Sequence, residues 1–208
     1  MIEFIYFKIL LIDMYIVFEG IDGAGKSTQI NLLKQWLFDS GFEVETIIEP
    51  TDSDIGKLIR KTLQNPDATS ENIQKTLGLL FAADRLALMD KIVKNEEKNK
   101  IILSDRSFYS SLAYQQPYEW IAEINKFAES PDLVFLLDLD VDLAITRCSC
   151  EDEFEKKSFL SHVRKNYLEL AAIHDFNIIN ASNGENKVQS DIRKALAHSL
   201  GICVSGID

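Results

Sequence analysis

Short apolar runs alternate along the chain with longer stretches in which apolar residues recur every three or four positions. The runs Tyr15–Glu19, Glu43–Ile48, Lys100–Ser104, Leu133–Leu139 and Asn177–Asn180 predict five strands. Between the first two, Lys26–Ser40 places Ile30, Leu33, Trp36 and Leu37 on one stripe and stops at Gly41, a residue suited to the left-handed position after a helix. Glu71–Asn95 carries Ile73, Leu77, Leu80, Phe81, Leu88 and Ile92 at helical spacing. Ser158–His174 and Lys187–Leu200 predict two further helices, and Val141–Arg147 a short one. The polar stretch Cys148–Lys157 has no clear core face. Strands alternating with helices predict an α/β domain: a five-stranded, mostly parallel sheet flanked by helices in three layers. No Gly/Ser-rich linker or internal repeat divides residues 14–200, and residues 201–208 read as a loose tail.

The chain has 208 residues, 46% hydrophobic and 26% charged, which excludes collagen-like, disordered and disulfide-scaffold chains. Its formal net charge of −11 opposes long-range approach to nucleic acid polymers or anionic lipid, so neither is an expected partner. A small anion is not excluded, because charges beyond a Debye length of about 8 Å are largely screened. Cys148, Cys150 and Cys203 are too few for a disulfide framework and lack zinc-site spacing, which points to a reducing cytoplasm. Residues 1–21 are apolar, but Glu3, Lys8 and Asp13 interrupt them, so neither a spanning helix nor a signal peptide is expected. Residues 1–13 read as an N-terminal extension, with Met14 as an alternative start just before the first strand.

Gly20-Ile21-Asp22-Gly23-Ala24-Gly25-Lys26-Ser27 satisfies the phosphate-loop pattern G-x-x-x-x-G-K-S/T, with Thr28 following, after a strand and before a helix. Its glycines let backbone N–H groups converge on phosphate oxygens, and the helix N-terminus adds partial positive charge. Lys26 is expected at the β/γ-phosphates of ATP and the Ser27 hydroxyl on Mg²⁺. Glu19 and Asp22 are unusual beside an anion site: they serve a second ligand or are solvated loop charges. No guanine-reading Asn-Lys-x-Asp sequence occurs: Asn125-Lys126 and Asn186-Lys187 reach Ala128 and Gln189 where Asp is required, and Asn99-Lys100 is followed by Ile101.

A second constellation lies downstream. Phe81, Asp84 and Arg85 stand at i, i+3 and i+4 of the long helix and share a face. An aromatic plate beside a guanidinium suits a flat heterocycle; equally, Phe81 is core and Arg85 pairs with a neighbour. Asp105-Arg106-Ser107 follows the third strand, at the end that faces the ligand crevice in parallel sheets. Asp105 is a candidate for Mg²⁺ or its waters and Arg106 for a second phosphate, against the alternative of a structural ion pair.

With these residues in place the chain resembles a thymidylate kinase, a P-loop NTPase-like fold. The resemblance rests on Phe18 through Gln29, Glu49-Pro50-Thr51, Phe81-Ala82-Ala83-Asp84-Arg85, Ser104-Asp105-Arg106, Ser110 through Gln115, Pro131-Asp132-Leu133, Asp152, Phe154 and Glu155, and Val163-Arg164, Tyr167 and Leu168. It implies that Phe81 stacks on thymine, Arg85 bonds its carbonyl edge, Arg106 holds the 5′-phosphate of dTMP and Asp22 contacts the sugar 3′-hydroxyl. It further implies that Tyr114 lies against the sugar 2′ position, Ser111 meets the base, Gln115 belongs to the same pocket, and Glu49 and Pro50 shape it. A lid at about 148–158 and a homodimer are implied as well.

Three departures stand out. Ser107 replaces a common Tyr or His and resembles deoxynucleoside kinases instead. Ile48 stands where an Arg often precedes Glu-Pro. The charge-stabilising arginine is absent from the loop, where this chain has Gly23, and from the lid, which reads Asp152-Glu153-Phe154-Glu155 with Lys156 and Lys157 as its cations. Arg147, just before the lid, is the candidate replacement beside Lys26 and Arg106. The expected reaction is transfer of the γ-phosphoryl group from ATP·Mg²⁺ to dTMP, giving dTDP and ADP. The alternatives are another nucleoside monophosphate or deoxynucleoside kinase, and an ATP-binding protein with weak or no turnover.

Overall fold

The computed structural model describes residues 14–94, 100–148 and 153–199. Residues 1–13 and 201–208, read above as extension and tail, lie outside the described residues. So does the centre of the expected lid, together with Cys150 and Cys203.

The strands are β1 (Met14–Glu19), β2 (Glu43–Ile48), β3 (Lys100–Asp105), β4 (Leu133–Asp138) and β5 (Asn177–Asn180). They form one sheet in the order β2-β3-β1-β4-β5. All four pairings are parallel. Burial explains the order. β1, β3 and β4 are continuous apolar runs, buried on both faces, and take the centre. β2 and β5 carry exposed positions and take the edges. Asp132 ties the centre together: its carboxylate accepts from the Tyr15 N–H at 2.7 Å, and its own N–H donates to the Tyr15 carbonyl at 2.9 Å.

The helices are α1 (Lys26–Asp39), α2 (Asp54–Leu63), α3 (Glu71–Lys94), α4 (Phe108–Tyr114), α5 (Tyr118–Ile124), α6 (Val141–Cys148), α7 (Glu153–His174) and α8 (Glu185–Ser199). Ile30, Leu33 and Leu37 of the predicted stripe are buried, while Trp36 is half-buried at the rim of the core. Three helices differ from expectation by being present at all. α2 is set by its ends: Ser53 caps it, accepting from the Gly56 N–H at 2.9 Å, Asp54 opens it and Arg60 and Lys61 close it. α4 and α5 have seven residues each, too short to show a helical period in sequence. α7 begins at Glu153 and therefore takes in part of the stretch read as lid.

Parallel strands put all carboxyl ends on one edge, and β1 emerges there between β3 and β4. Ligands of open α/β sheets bind at this edge, where the order switches. Among the described residues no helix is long and apolar enough to cross a membrane.

Candidate active site

The loop leaving β1 turns on glycines at positive φ: Gly20 at 141°, Gly23 at 82° and Gly25 at 90°. At Gly20 there is also no room for a side chain, since a Cβ would stand 2.7 Å from the Leu137 carbonyl oxygen. Gly25 supplies no side-chain cap to α1. The first-turn N–H groups therefore have neither an intrahelical nor a capping acceptor among the described residues, and Gly25, Lys26, Ser27 and Thr28 line a cavity of about 620 Å³. The Lys26 Nζ reaches back over the loop, donating to the Gly20 and Ile21 carbonyls at 3.0 and 3.2 Å. Burial lowers its pKa to about 8, the Arg106 charge adds to the fall, and Asp105, Asp22 and Glu19 oppose it.

Asp105, at the end of β3, crosses to this loop. Its Oδ2 accepts from the Ser27 hydroxyl at 2.6 Å, and both residues line the cavity. Two hard oxygen donors, one a carboxylate, fit a magnesium ion that takes its remaining ligands from phosphate and water. No group of three or more His, Cys, Asp or Glu suited to a metal occurs among the described residues.

Arg106 enters the same cavity from the β3–α4 turn. Its φ of 79° is left-handed, a conformation that costs a non-glycine residue about 1–2 kcal/mol. Backbone bonds hold it there: its N–H donates to the Phe18 carbonyl at 3.0 Å, and its carbonyl accepts from the Ser104 hydroxyl at 2.6 Å. One guanidinium nitrogen donates to Ser110 Oγ at 3.0 Å, Tyr167 Oη at 3.4 Å and the Gly20 carbonyl at 3.4 Å. The other pairs with Asp22 of the phosphate loop. The Tyr114 ring lies beneath the guanidinium, 5.2 Å from its centroid. Glu19 is fully buried, so of the two readings made for it the solvated loop charge is excluded; Asp22 is exposed.

The other residues expected around an acceptor nucleotide divide. Glu49 lines the cavity and is 5% exposed. Its Oε2 accepts from Arg85 Nε at 2.8 Å and from an Arg85 terminal nitrogen at 2.6 Å, while its Oε1 has no hydrogen-bond partner among the described residues. Burial raises its pKa and Arg85 opposes the rise. Arg85 is itself buried, its donors directed at Glu49, Asn125 Oδ1, the Ser107 carbonyl and Ser111 Oγ. It pairs with a neighbour, as one of the two sequence readings had it. Asp84 points elsewhere, accepting from the Thr51 N–H and the Thr51 and Ser53 hydroxyls and so fixing the turn after Glu49-Pro50. Arg60 clamps that turn from below through the Thr51 and Pro50 carbonyls, at 2.8 and 2.7 Å. Phe81 is half-buried, and it, Pro50, Ser111, Tyr114 and Gln115 stand outside the cavity wall. Tyr114 Oη and Gln115 Oε1 are buried without partners among the described residues.

Arg147, on the last turn of α6, lines the far side of the cavity. Its guanidinium bridges the Gly23 carbonyl at 3.1 Å and the Ala181 carbonyl at 3.5 Å. Lys157 is paired with Asp142 on the surface at 2.5 Å. The Lys156 side chain and Asp152 lie outside the described residues. Ala181 and Asn183, in the turn after β5, and Glu185 and Val188, at the start of α8, also line the wall. Sequence reading passed them over, because a short polar turn has no chemical signature. Their position after a strand's carboxyl end was the available signal.

The sequence profile described as thymidylate kinase matches residues 18–192, spanning the phosphate loop, the Arg106 turn and most of α8. Curated relatives agree along nearly the whole chain. A probable thymidylate kinase of Methanobrevibacter smithii is 65% identical over 190 residues, covering 91% of this chain and 97% of that protein. One from Methanothermobacter thermautotrophicus is 51% identical over 194 residues, covering 93% and 100%. One from Methanocaldococcus jannaschii is 42% identical over 174 residues, covering 82% and 88%. A phosphate loop and an opposed arginine sharing one cavity, in a chain matched along most of its length by this profile and these relatives, place the protein in the thymidylate kinase family, phosphotransferases that act on dTMP with ATP.

Proposed function

We propose that this chain catalyses ATP + dTMP → ADP + dTDP with the residues assembled above. The observation that carries the reading is the meeting of Arg106 with the phosphate loop. One guanidinium stands within 3.4 Å of the Gly20 carbonyl and pairs with Asp22, so an anion held by Arg106 faces a phosphate held by Lys26 and the α1 amides. An oxygen of the dTMP phosphate attacks the γ-phosphorus, and the bond to the bridging oxygen of ADP breaks. The attacking oxygen is already ionised near neutral pH, so no general base is required. The protein's work is alignment and charge neutralisation.

Lys26 neutralises charge on the donor phosphates; Arg106 holds and orients the acceptor phosphate. Asp22, which pairs with Arg106, exchanges that pairing for a contact with the acceptor once a phosphate takes its place. Ser27 and Asp105 would hold Mg²⁺, which supplies further neutralisation of the donor phosphates. Arg147 donates to the Gly23 carbonyl in the cavity wall and assists from the donor side. The acceptor pocket starts at Glu49 in the cavity wall and continues beyond that wall over Pro50, Phe81, Arg85, Ser111, Tyr114 and Gln115. Arg85 acts there chiefly by holding Glu49, since its donors are engaged. Residues 14–200 form the kinase domain, and the lid at about 148–158 closes over ATP to exclude water. A homodimer joined through the exposed Leu79 and Leu86 of α3, in the cytoplasm, completes the reading.

A coupled ADP-release assay with dTMP, dUMP and thymidine as acceptors tests the reaction. Turnover is expected with dTMP. Turnover with thymidine alone would make it a nucleoside kinase, and ATP binding without any product would make it a non-catalytic binder.

A further inference from the structure

Glu19 is the last residue of β1, one position before the phosphate loop, and has no exposed surface. A buried carboxylate must be satisfied, and no cation touches this one among the described residues. Four neutral donors do so instead. The Ser107 N–H and hydroxyl reach Oε1 at 2.9 and 2.8 Å; the Ser110 and Tyr167 hydroxyls reach Oε2 at 2.7 and 2.8 Å. These donors surround one residue. Ser107 follows Arg106 in the chain, and Ser110 and Tyr167 are the hydroxyls to which the Arg106 guanidinium donates. The guanidinium donates to both hydroxyls, both hydroxyls lie within hydrogen-bond reach of the carboxylate, and the two are 2.8 Å from each other, so all four groups form one connected network.

We propose that Glu19 is a positioning residue for phosphoryl transfer, setting the place and orientation of the Arg106 guanidinium relative to the phosphate loop. It does so in two ways. Through Ser107 it anchors the backbone on one side of the left-handed Arg106, whose other anchors are Phe18 and Ser104. Through Ser110 and Tyr167 it holds in place the two hydroxyls that accept from the guanidinium, as an acceptor for the protons those hydroxyls do not share with each other. The strand that carries Glu19 also carries Gly20, so the donor loop and the acceptor arginine are referred to one rigid strand. Its buried negative charge also favours the charged forms of Lys26 and Arg106, which otherwise repel across the cavity. Tyr167 belongs to α7, so the helix that takes in the end of the expected lid is tied to the same carboxylate.

The proposal rests on the dTMP kinase reading, and the experiment separates the two. Glu19→Gln keeps the length but turns one carboxylate oxygen into a donor facing donors. In the coupled assay its KM for dTMP is expected to rise at least tenfold, with KM for ATP changed less than twofold. In an Arg106→Lys background the same substitution is expected to raise the KM for dTMP less than threefold, because the group it positions is already altered. Equal effects in both backgrounds, or an effect on ATP as large as on dTMP, would overturn the positioning role and leave Glu19 merely structural. Tyr167→Phe, which removes one hydroxyl, is the second variant should Glu19→Gln not fold. A threefold or greater rise in KM for dTMP supports the proposal and an unchanged KM overturns it. A wild-type enzyme inactive on dTMP would refute the underlying reading instead.

Discussion

Replacing Arg85 by methionine leaves Glu49 buried with neither a cation nor the two N–H groups that now reach its Oε2. The pair is 3% and 4% exposed, so water cannot take over. Breaking a buried pair from one side costs about 3–5 kcal/mol. At roughly 2–4 °C per kcal/mol for a chain of this size, the melting temperature should fall by about 6–20 °C. The sign of the pH dependence follows from Glu49. Burial raises its pKa in the folded protein and Arg85 opposes the rise, so removing Arg85 moves it further up. A carboxyl whose folded pKa lies above its unfolded value contributes stability that is complete below the unfolded pKa and is lost as pH rises through the folded one. Urea unfolding of Arg85→Met and wild type, compared from about pH 5 to about pH 8, should therefore show a deficit that widens with pH. Arg85→Met/Glu49→Leu should recover at least about half of the deficit at neutral pH, because no charge is then stranded. A deficit below about 1 kcal/mol, the value of an exposed pair, or one that is flat with pH, refutes the account.

Other substitutions read other parts of the site. Gly20→Ala drives a Cβ to 2.7 Å from the Leu137 carbonyl at a φ of 141°, and should weaken ATP binding more than tenfold by calorimetry. Gly25→Ala meets nothing within 4 Å and should suffer only the backbone cost of about 1–2 kcal/mol. Ser27→Ala and Asp105→Asn should each raise the Mg²⁺ concentration for half-maximal rate several-fold while leaving the free energy of urea unfolding within about 1 kcal/mol of wild type. Lys26, lowered to about 8, must be protonated to serve the phosphates, so kcat/KM for ATP should fall as pH rises through 8, and Lys26→Arg should remove that limb. Leu79→Glu with Leu86→Glu should halve the sedimenting mass if α3 joins two protomers, and leave it unchanged otherwise.

The sequence alone determined the sheet and one half of the site. Continuous apolar runs bounded by polar turns identify strands without tertiary help, and the phosphate loop is read from spacing because glycine, lysine and hydroxyl each have a local reason to be there. What it left open were choices between partners far apart in the chain. Nothing local to Arg85 says whether its guanidinium faces a ligand or Glu49, 36 positions away. Nothing local to Glu19 says that its donors come from the start of α4 and the middle of α7. The short helices α4 and α5 were invisible for a related reason, having too few residues to display a period. Hydrogen bonds act over about 3 Å of space whatever the separation in sequence. Only the folding of β1, β3 and α7 against one another decides which buried charge meets which donor, and hence which residues are free to touch a nucleotide.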